Sequence, residues 1–165
     1  MKAQSFGCSL FVLLFTLTLT IGAGTHGGER RPIKPDPRDK CPVCGMFVAK
    51  YADWSAEILF KDGSHVFFDG AKDMFKYCLN LKQYHPSMTT GDIDSVYVTD
   101  YYDLAWIDGT KAFYVTGSNV YGPMGRELIP FKEEAGAKDF LKDHKGKSIL
   151  MFEEVTPEVV KTLDD

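Results

Sequence analysis

Cys41, Cys44 and Met46 place three sulfur-bearing side chains within six residues, and a further methionine, Met124, follows far downstream. Thiolate and thioether sulfurs are soft ligands, which select soft metals, Cu(I) above all. A redox dithiol would not require the methionines, and a zinc site would require two more Cys or His ligands at matching spacing. The residue types therefore indicate either a protein that handles a soft metal or a thiol enzyme.

Each of these residues also has an ordinary structural interpretation. Cys41 and Cys44 would form a structural or redox disulfide, and Met46 would pack in the core. Met124 is harder to explain in this way, because the glycines and proline around it predict a turn with little core to pack against. A metal gives this methionine a role.

Two carboxylates, Asp69 and Asp73, resemble a functional pair. We interpret them instead as residues that begin a helix, where acidic side chains favour the positive end of the helix dipole. His65, His85 and His144 are scattered, with no spacing that suggests a set of ligands.

Length and charge narrow the class of protein. The chain has 165 residues, 44% of them hydrophobic, which suits one packed domain with tails. A net charge of -4 provides no basic patch for nucleic acid, so we expect no nucleic-acid partner.

The N-terminus predicts export. Residues 1–25 contain a short basic start and the apolar run 9–24, which is typical of a signal peptide or of an uncleaved membrane anchor, and we favour the signal peptide. Residues 26–38 form a Pro/Gly-rich linker, and residues 39–165 form the metal-binding domain. We expect a periplasmic or otherwise exported protein, in a compartment that can oxidise exposed thiols.

Alternating and helical apolar patterns predict an α+β fold. Strands are expected at 53–60, 64–68, 93–101, 105–107, 112–116, 128–131 and 148–153, and helices at 69–79, 133–144 and 157–163. Pro130 marks its strand as an edge, because proline cannot donate a ladder hydrogen bond. Met74 and Cys78 are expected to pack in the core.

An internal repeat indicates duplication. The sequence Gly-Ala-Lys-Asp at 70–73 recurs at 136–139, and each copy follows an aromatic-rich strand. Met46 precedes the first copy and Met124 the second, so two duplicated units facing one another would bring both methionines to one site.

The segments C-P-V-C-G-M at 41–46, F-F-D-G-A-K-D-M-F at 67–75 and G-P-M-G-R-E-L-I-P-F at 122–131 resemble the NosL family, the accessory proteins of nitrous oxide reductase. The resemblance covers residues 39–154. It implies a fold of duplicated ββαβ-like units, related to organomercury lyase. It also implies an exported Cu(I)-binding chaperone of denitrification that works with a membrane ABC-type maturation complex. The acceptor of the copper would be nitrous oxide reductase or another cuproprotein.

The resemblance further implies a ligand set for this chain. Carried over residue by residue, the family's Cu(I) ligands fall on Cys44, Met46 and Met124, with Cys41 as the adjacent thiol. Many members carry a lipid-anchored cysteine after the apolar run, and this sequence has none there.

Two functions from different classes remain open. The first is a Cu(I) chaperone without turnover. The second is a thiol enzyme that uses Cys41 and Cys44, either a disulfide reductase or an organomercury-lyase-like enzyme. A dithiol reductase usually places its cysteines at a helix start, which lowers the thiol pKa, whereas these lie in a predicted loop with no evident acid beside them. We therefore favour the chaperone and expect no enzymatic activity.

Overall fold

The computed structural model describes residues 31–164. The predicted signal peptide or anchor, the start of the linker and residue 165 lie outside the described residues. Between residues 31 and 164, no helix is long and apolar enough to cross a membrane.

The first half of the domain is a four-stranded antiparallel sheet with helices packed on it. Its strands occur in the order β2-β1-β3-β4. The bounds are β1 Ala56–Phe60, β2 His65–Phe68, α1 Ala71–Leu79, α2 Leu81–Tyr84, β3 Ile93–Thr99 and β4 Trp106–Asp108, with 3-10 helices at Val48–Trp54 and Thr90–Asp92. The tight turn between β1 and β2 places Gly63 at φ +90°, a conformation that suits glycine.

The second half contains a smaller sheet in the order β8-β5-β9 and a separate two-stranded hairpin, β6-β7. Its elements are β5 Phe113–Thr116, β6 Tyr121–Gly122, β7 Gly125–Arg126, β8 Ile129–Phe131, α3 Glu134–Asp143, β9 Ser148–Leu150 and α4 Pro157–Lys161, with a 3-10 helix at Phe152–Glu154. Strand β8, which contains Pro130, lies at a sheet edge as predicted.

The predicted α+β fold of two ββαβ units is confirmed. In each unit the first strand is central, the second and third strands flank it, and the helix connects the flanking strands. The first unit is β1-β2-α1-β3, and the second is β5-β8-α3-β9 with the β6-β7 hairpin inserted.

The two copies of the Gly-Ala-Lys-Asp repeat begin at different positions relative to their helices. Gly70 is the residue just before α1, whereas Gly136 is the third residue of α3. The expectation that both copies occupy the same place is therefore wrong by three residues. Three residues are close to one helical turn, so both copies still turn apolar side chains to the core, among them the fully buried Met74 and Phe140.

One boundary differs more than the others. We expected a strand from Asp53, but Val48–Trp54 forms a 3-10 helix and β1 begins at Ala56. Trp54 makes an edge contact with Tyr101, at 6.2 Å between ring centroids, instead of extending the strand. Met74 and Cys78 pack in or against the larger core cluster, as predicted.

Candidate metal centre

Cys41 and Cys44 lie in a closed loop. The Cys41 N–H donates to the Met46 carbonyl at 2.9 Å, and the Gly45 N–H donates to the Cys41 carbonyl at 2.8 Å. Gly45 has φ +79°, so a residue with a side chain would be strained there. The loop holds Cys41 buried and Cys44 half-buried, and both are free thiols. The alternative of a Cys41–Cys44 disulfide is therefore not what this structure contains.

Two carboxylates meet these thiols. The Cys44 thiol donates to Asp69 Oδ1 at 3.1 Å, and the Cys41 thiol donates to Asp73 Oδ2 at 3.3 Å. One ligand atom from each of these four residues lies within 4.8 Å of the other three. This spacing lets the four side chains surround one metal ion.

The role that we predicted for Asp69 and Asp73 was therefore incomplete. Asp73 lies in the first turn of α1, as expected of an acidic residue near a helix start. Gly70, which precedes the helix, has no side chain with which to cap it, and neither aspartate does so. Both carboxylates are buried and turned to the thiols instead. The available signal was their spacing of four residues directly after a buried strand, which places two acids on one side of a helix start.

Electrostatics keep the metal-free thiols protonated. Burial raises the pKa of the Cys44 thiol to about 12, and its contacts with Asp69 and Asp73 act in the same direction. Burial likewise raises the pKa of the Cys41 thiol far above its usual range, and the charge of Asp73 adds to that effect. These thiols are hydrogen-bond donors rather than free thiolates, so a bound metal must displace their protons.

Asp69 offers a free acceptor in this cluster. Its Oδ2 atom is buried and receives a hydrogen bond from no described residue. Buried polar atoms without partners are rare and costly, and a cation would satisfy this one. The donor set fits a metal, although the carboxylate oxygens make it less purely soft than the sulfur-only set that we predicted.

Met124 reaches the same place from the second unit. It lies in the turn of the β6-β7 hairpin, where Gly125 has φ +89°, and its side chain is 44% exposed. A cleft of ≈ 640 Å³ is lined by Cys44 and Asp73 on one side and by Met124 and Tyr121 on the other. Cys44 and Met124, which are distant in sequence, therefore share one open cleft.

The other two predicted ligands are placed differently. Cys41 is buried behind the cleft and belongs to the Cys/Asp cluster. Met46 is half-buried at the closing end of the loop, and it is not among the described residues that line the cleft. The assignment of Cys41, Cys44, Met46 and Met124 as metal ligands stays a prediction.

The structure also corrects one argument against a thiol enzyme. We expected no acid beside the cysteines, but Asp69 and Asp73 are both within hydrogen-bond reach of them. The raised pKa values of both thiols argue against a thiol enzyme, because a nucleophilic or redox cysteine normally has a lowered thiol pKa.

Comparison with known proteins shows the family to which this chain belongs. Residues 32–160 match the family model described as NosL. The chain is 30% identical over 158 residues to the copper-binding lipoprotein NosL of Stutzerimonas stutzeri, covering 89% of this chain and 78% of that protein. The fold is similar to the crystal structure of the copper chaperone NosL from Shewanella denitrificans, with a TM-score of 0.64 and 24% identity over 77% of this chain and 99% of that one. On the match over residues 32–160, this chain belongs to the NosL family.

Proposed function

We propose that this protein is an exported chaperone that binds Cu(I) as cargo and passes it to another protein. The observation that carries the proposal is the shared cleft, where the half-buried Cys44 faces an exposed methionine, Met124, beside the Cys/Asp cluster. The names of the two relatives, a copper-binding lipoprotein and a copper chaperone, support copper as the metal.

The arrangement suits transfer better than permanent storage. Cys44 supplies a thiolate once its proton leaves, and the adjacent Asp69 carboxylate or solvent can accept that proton. Met124 supplies a neutral thioether, which soft Cu(I) accepts and harder cations do not. Because Met124 is largely exposed and the cleft is open, a partner's sulfur ligand can approach the metal from solvent.

The client and the location rest on family resemblance. We propose that the copper serves nitrous oxide reductase or a related cuproprotein, through a membrane ABC-type maturation complex. The relative from Stutzerimonas stutzeri is named a lipoprotein, which supports export and membrane attachment. Deletion of the gene, followed by measurement of copper in the purified reductase, tests the client. Full copper content in the deletion strain would reject it.

Metal choice is the direct test of the binding function. The full-length protein should bind one Cu(I) under anaerobic conditions in competition with a chelator, and it should hold Cu(I) more tightly than Zn(II). Met124→Leu should weaken Cu(I) binding, whereas Met88→Leu, at a half-buried methionine outside the cleft, should not. Tighter retention of Zn(II) than of Cu(I) would overturn the proposal.

The carboxylates beside the cysteines keep one alternative worth testing. A thiol enzyme of the organomercury-lyase kind needs thiols and a proton carrier, and Asp69 and Asp73 supply the second. Such an enzyme has no use for the thioether of Met124. Thiol-dependent turnover that survives Met124→Leu, together with unchanged Cu(I) binding in that variant, would favour the enzyme over the chaperone.

A further inference from the structure

The hairpin that carries Met124 is too short to fix its own position. Strands β6 and β7 contain two residues each, and between residues 31 and 164 they pair only with each other. An isolated two-stranded hairpin of this size has little stability. Contacts from elsewhere in the domain must therefore set where Met124 lies.

Lys72 on α1 provides these contacts at two points. Its side chain is only 3% exposed, and its ammonium donates to the carbonyl oxygen of Met124 at 2.8 Å. Its backbone N–H donates to the Oε1 atom of Glu127, which follows the hairpin. One residue of the first unit thus holds the hairpin of the second unit on both sides of Gly125 and Arg126.

Glu127 is built into this junction. It is buried, and its Oε1 atom also accepts the N–H of Leu128 at 2.9 Å. Gly70 leaves the start of α1 without a side-chain cap of its own, so the Glu127 carboxyl oxygen supplies an acceptor for an otherwise unpaired helical N–H. A Cβ atom at Gly70 would overlap that carboxylate, and one at Gly122 would crowd it. The Glu127 side chain therefore fits closely between Gly70 and Gly122.

We infer that Lys72 and Glu127 form a clamp that positions Met124 beside Cys44 in the cleft. Neither side chain needs to touch the metal. The clamp ties the methionine's backbone to the helix that begins between Asp69 and Asp73, so both halves of the site move together. The inference rests on the proposed function, because it assigns Met124 to the copper.

Lys72 and Lys76 allow a matched test. Both ammonium groups pair with Asp164, at 3.5 Å and 2.6 Å, but of the two only Lys72 reaches the Met124 carbonyl among the described contacts. Lys72→Met keeps most of the aliphatic volume and removes the donor. We expect the full-length Lys72→Met protein to hold Cu(I) about tenfold less tightly, a typical cost of losing a group that orients a metal ligand. Lys76 also lines the cleft, so Lys76→Met controls for the lost positive charge, and it should weaken Cu(I) binding less than Lys72→Met does.

A double-mutant cycle separates positioning from general loss of structure. If the clamp acts through Met124, Lys72→Met should weaken Cu(I) binding in the wild-type background and have no further effect in a Met124→Leu background. Thermal unfolding should report the same destabilisation by Lys72→Met in both backgrounds. Equal losses of Cu(I) affinity in both backgrounds would overturn the clamp while leaving Met124 as a ligand. An unchanged affinity in Met124→Leu alone would instead reject the ligand set of the proposed function.

Glu127 provides the second pair of variants. Glu127→Gln keeps an oxygen that can accept from Lys72 and Leu128, whereas Glu127→Ala removes it. Cu(I) affinity at pH 7 should be close to that of the wild type in Glu127→Gln and about tenfold lower in folded Glu127→Ala. If Glu127→Ala does not fold, the comparison of Lys72→Met with Lys76→Met decides the question. Wild-type affinity in either Lys72→Met or folded Glu127→Ala would contradict the clamp.

Discussion

The two ββαβ units have the same strand order, but they contribute different things to the site. In the first unit, β2 ends at Phe68 and α1 begins three residues later, and in the second unit β8 ends at Phe131 and α3 also begins three residues later. Counting from these ends, Asp69 corresponds to Lys132 and Asp73 to Gly136. The second unit therefore lacks the acidic pair.

The connection between the first two strands differs as well. Residues 61–64 form a tight turn in the first unit, whereas residues 117–128 in the second unit contain the β6-β7 hairpin with Met124. The first unit thus supplies the thiols' carboxylate partners, and the second supplies an insertion that closes the cleft. The two units share one topology, and the candidate site lies where they differ.

The largest effect should come from Cys44, the half-buried thiol that contacts Asp69 of the first unit. Cys44→Ser should abolish tight Cu(I) binding, because it removes the thiolate that lines the cleft, and the loss should exceed the 10–100-fold typical of groups that only orient ligands. Cys41→Ser should cost less, because Cys41 lies behind the cleft. Anaerobic chelator competition measures both. A greater loss of Cu(I) affinity in Cys41→Ser than in Cys44→Ser would indicate that copper binds in the buried Cys/Asp cluster and not in the cleft.

A smaller loss of Cu(I) affinity is expected at Asp69, whose Oδ2 atom has no hydrogen-bond partner among the described residues. Asp69→Asn should reduce Cu(I) affinity about tenfold, because it removes a negative charge beside the Cys44 sulfur that would hold the cation. Lys132→Asn, at the corresponding position of the second unit, is the control and should leave the affinity unchanged. Equal losses of Cu(I) affinity in Asp69→Asn and Lys132→Asn would contradict the claim that only the first unit contributes the carboxylates beside the thiols.

Much of the fold could be predicted from the sequence, but the contact between the thiols and the acidic pair of the first unit could not. The two-unit fold and the edge strand at Pro130 were accessible, because hydrophobic periodicity and turn residues are local signals. That Cys44 and Met124 share one cleft was expected from the family resemblance, whereas Met46, which the repeat paired with Met124, is not among the described residues that line this cleft. The contacts of Asp69 and Asp73 with the two thiols were hidden, since acids at helix starts are common and are usually interpreted as helix-start residues. Lys72 and Glu127 gave no signal at all, because charged residues are usually exposed and these two are buried only through contacts that are distant in sequence.

The junction between the units should make stability depend on pH. Burial raises the pKa of Glu127 to about 8 from a usual value of 4.5, so the folded state binds a proton that the unfolded state releases. The raised pKa contributes stability that is present below pH 4.5 and is lost as pH rises through 8. The melting temperature of the metal-free protein should fall over this range, and Glu127→Gln, which does not titrate, should lose this component. If the melting temperatures of the wild type and of Glu127→Gln changed with pH in the same way, a group other than Glu127 would be responsible for the change.

The repeated Gly-Ala-Lys-Asp sequence allows the finest comparison, because its two glycines occupy different places in their units. Gly136 lies inside α3, and a Cβ atom there would meet its nearest neighbours at 3.6 Å or more, which is ordinary contact. Gly136→Ala should therefore stabilise the protein by about 0.5–1 kcal/mol, since alanine favours helix and glycine does not. Gly70→Ala should instead destabilise it by about 1–3 kcal/mol, because the new Cβ atom overlaps the buried Glu127 carboxylate. Chemical denaturation measures both changes. Opposite changes in the free energy of unfolding are expected, because the three-residue offset leaves Gly70 at the junction between the units and Gly136 within a helix. Changes of the same sign would mean that the two Gly-Ala-Lys-Asp copies are equivalent in the folded protein.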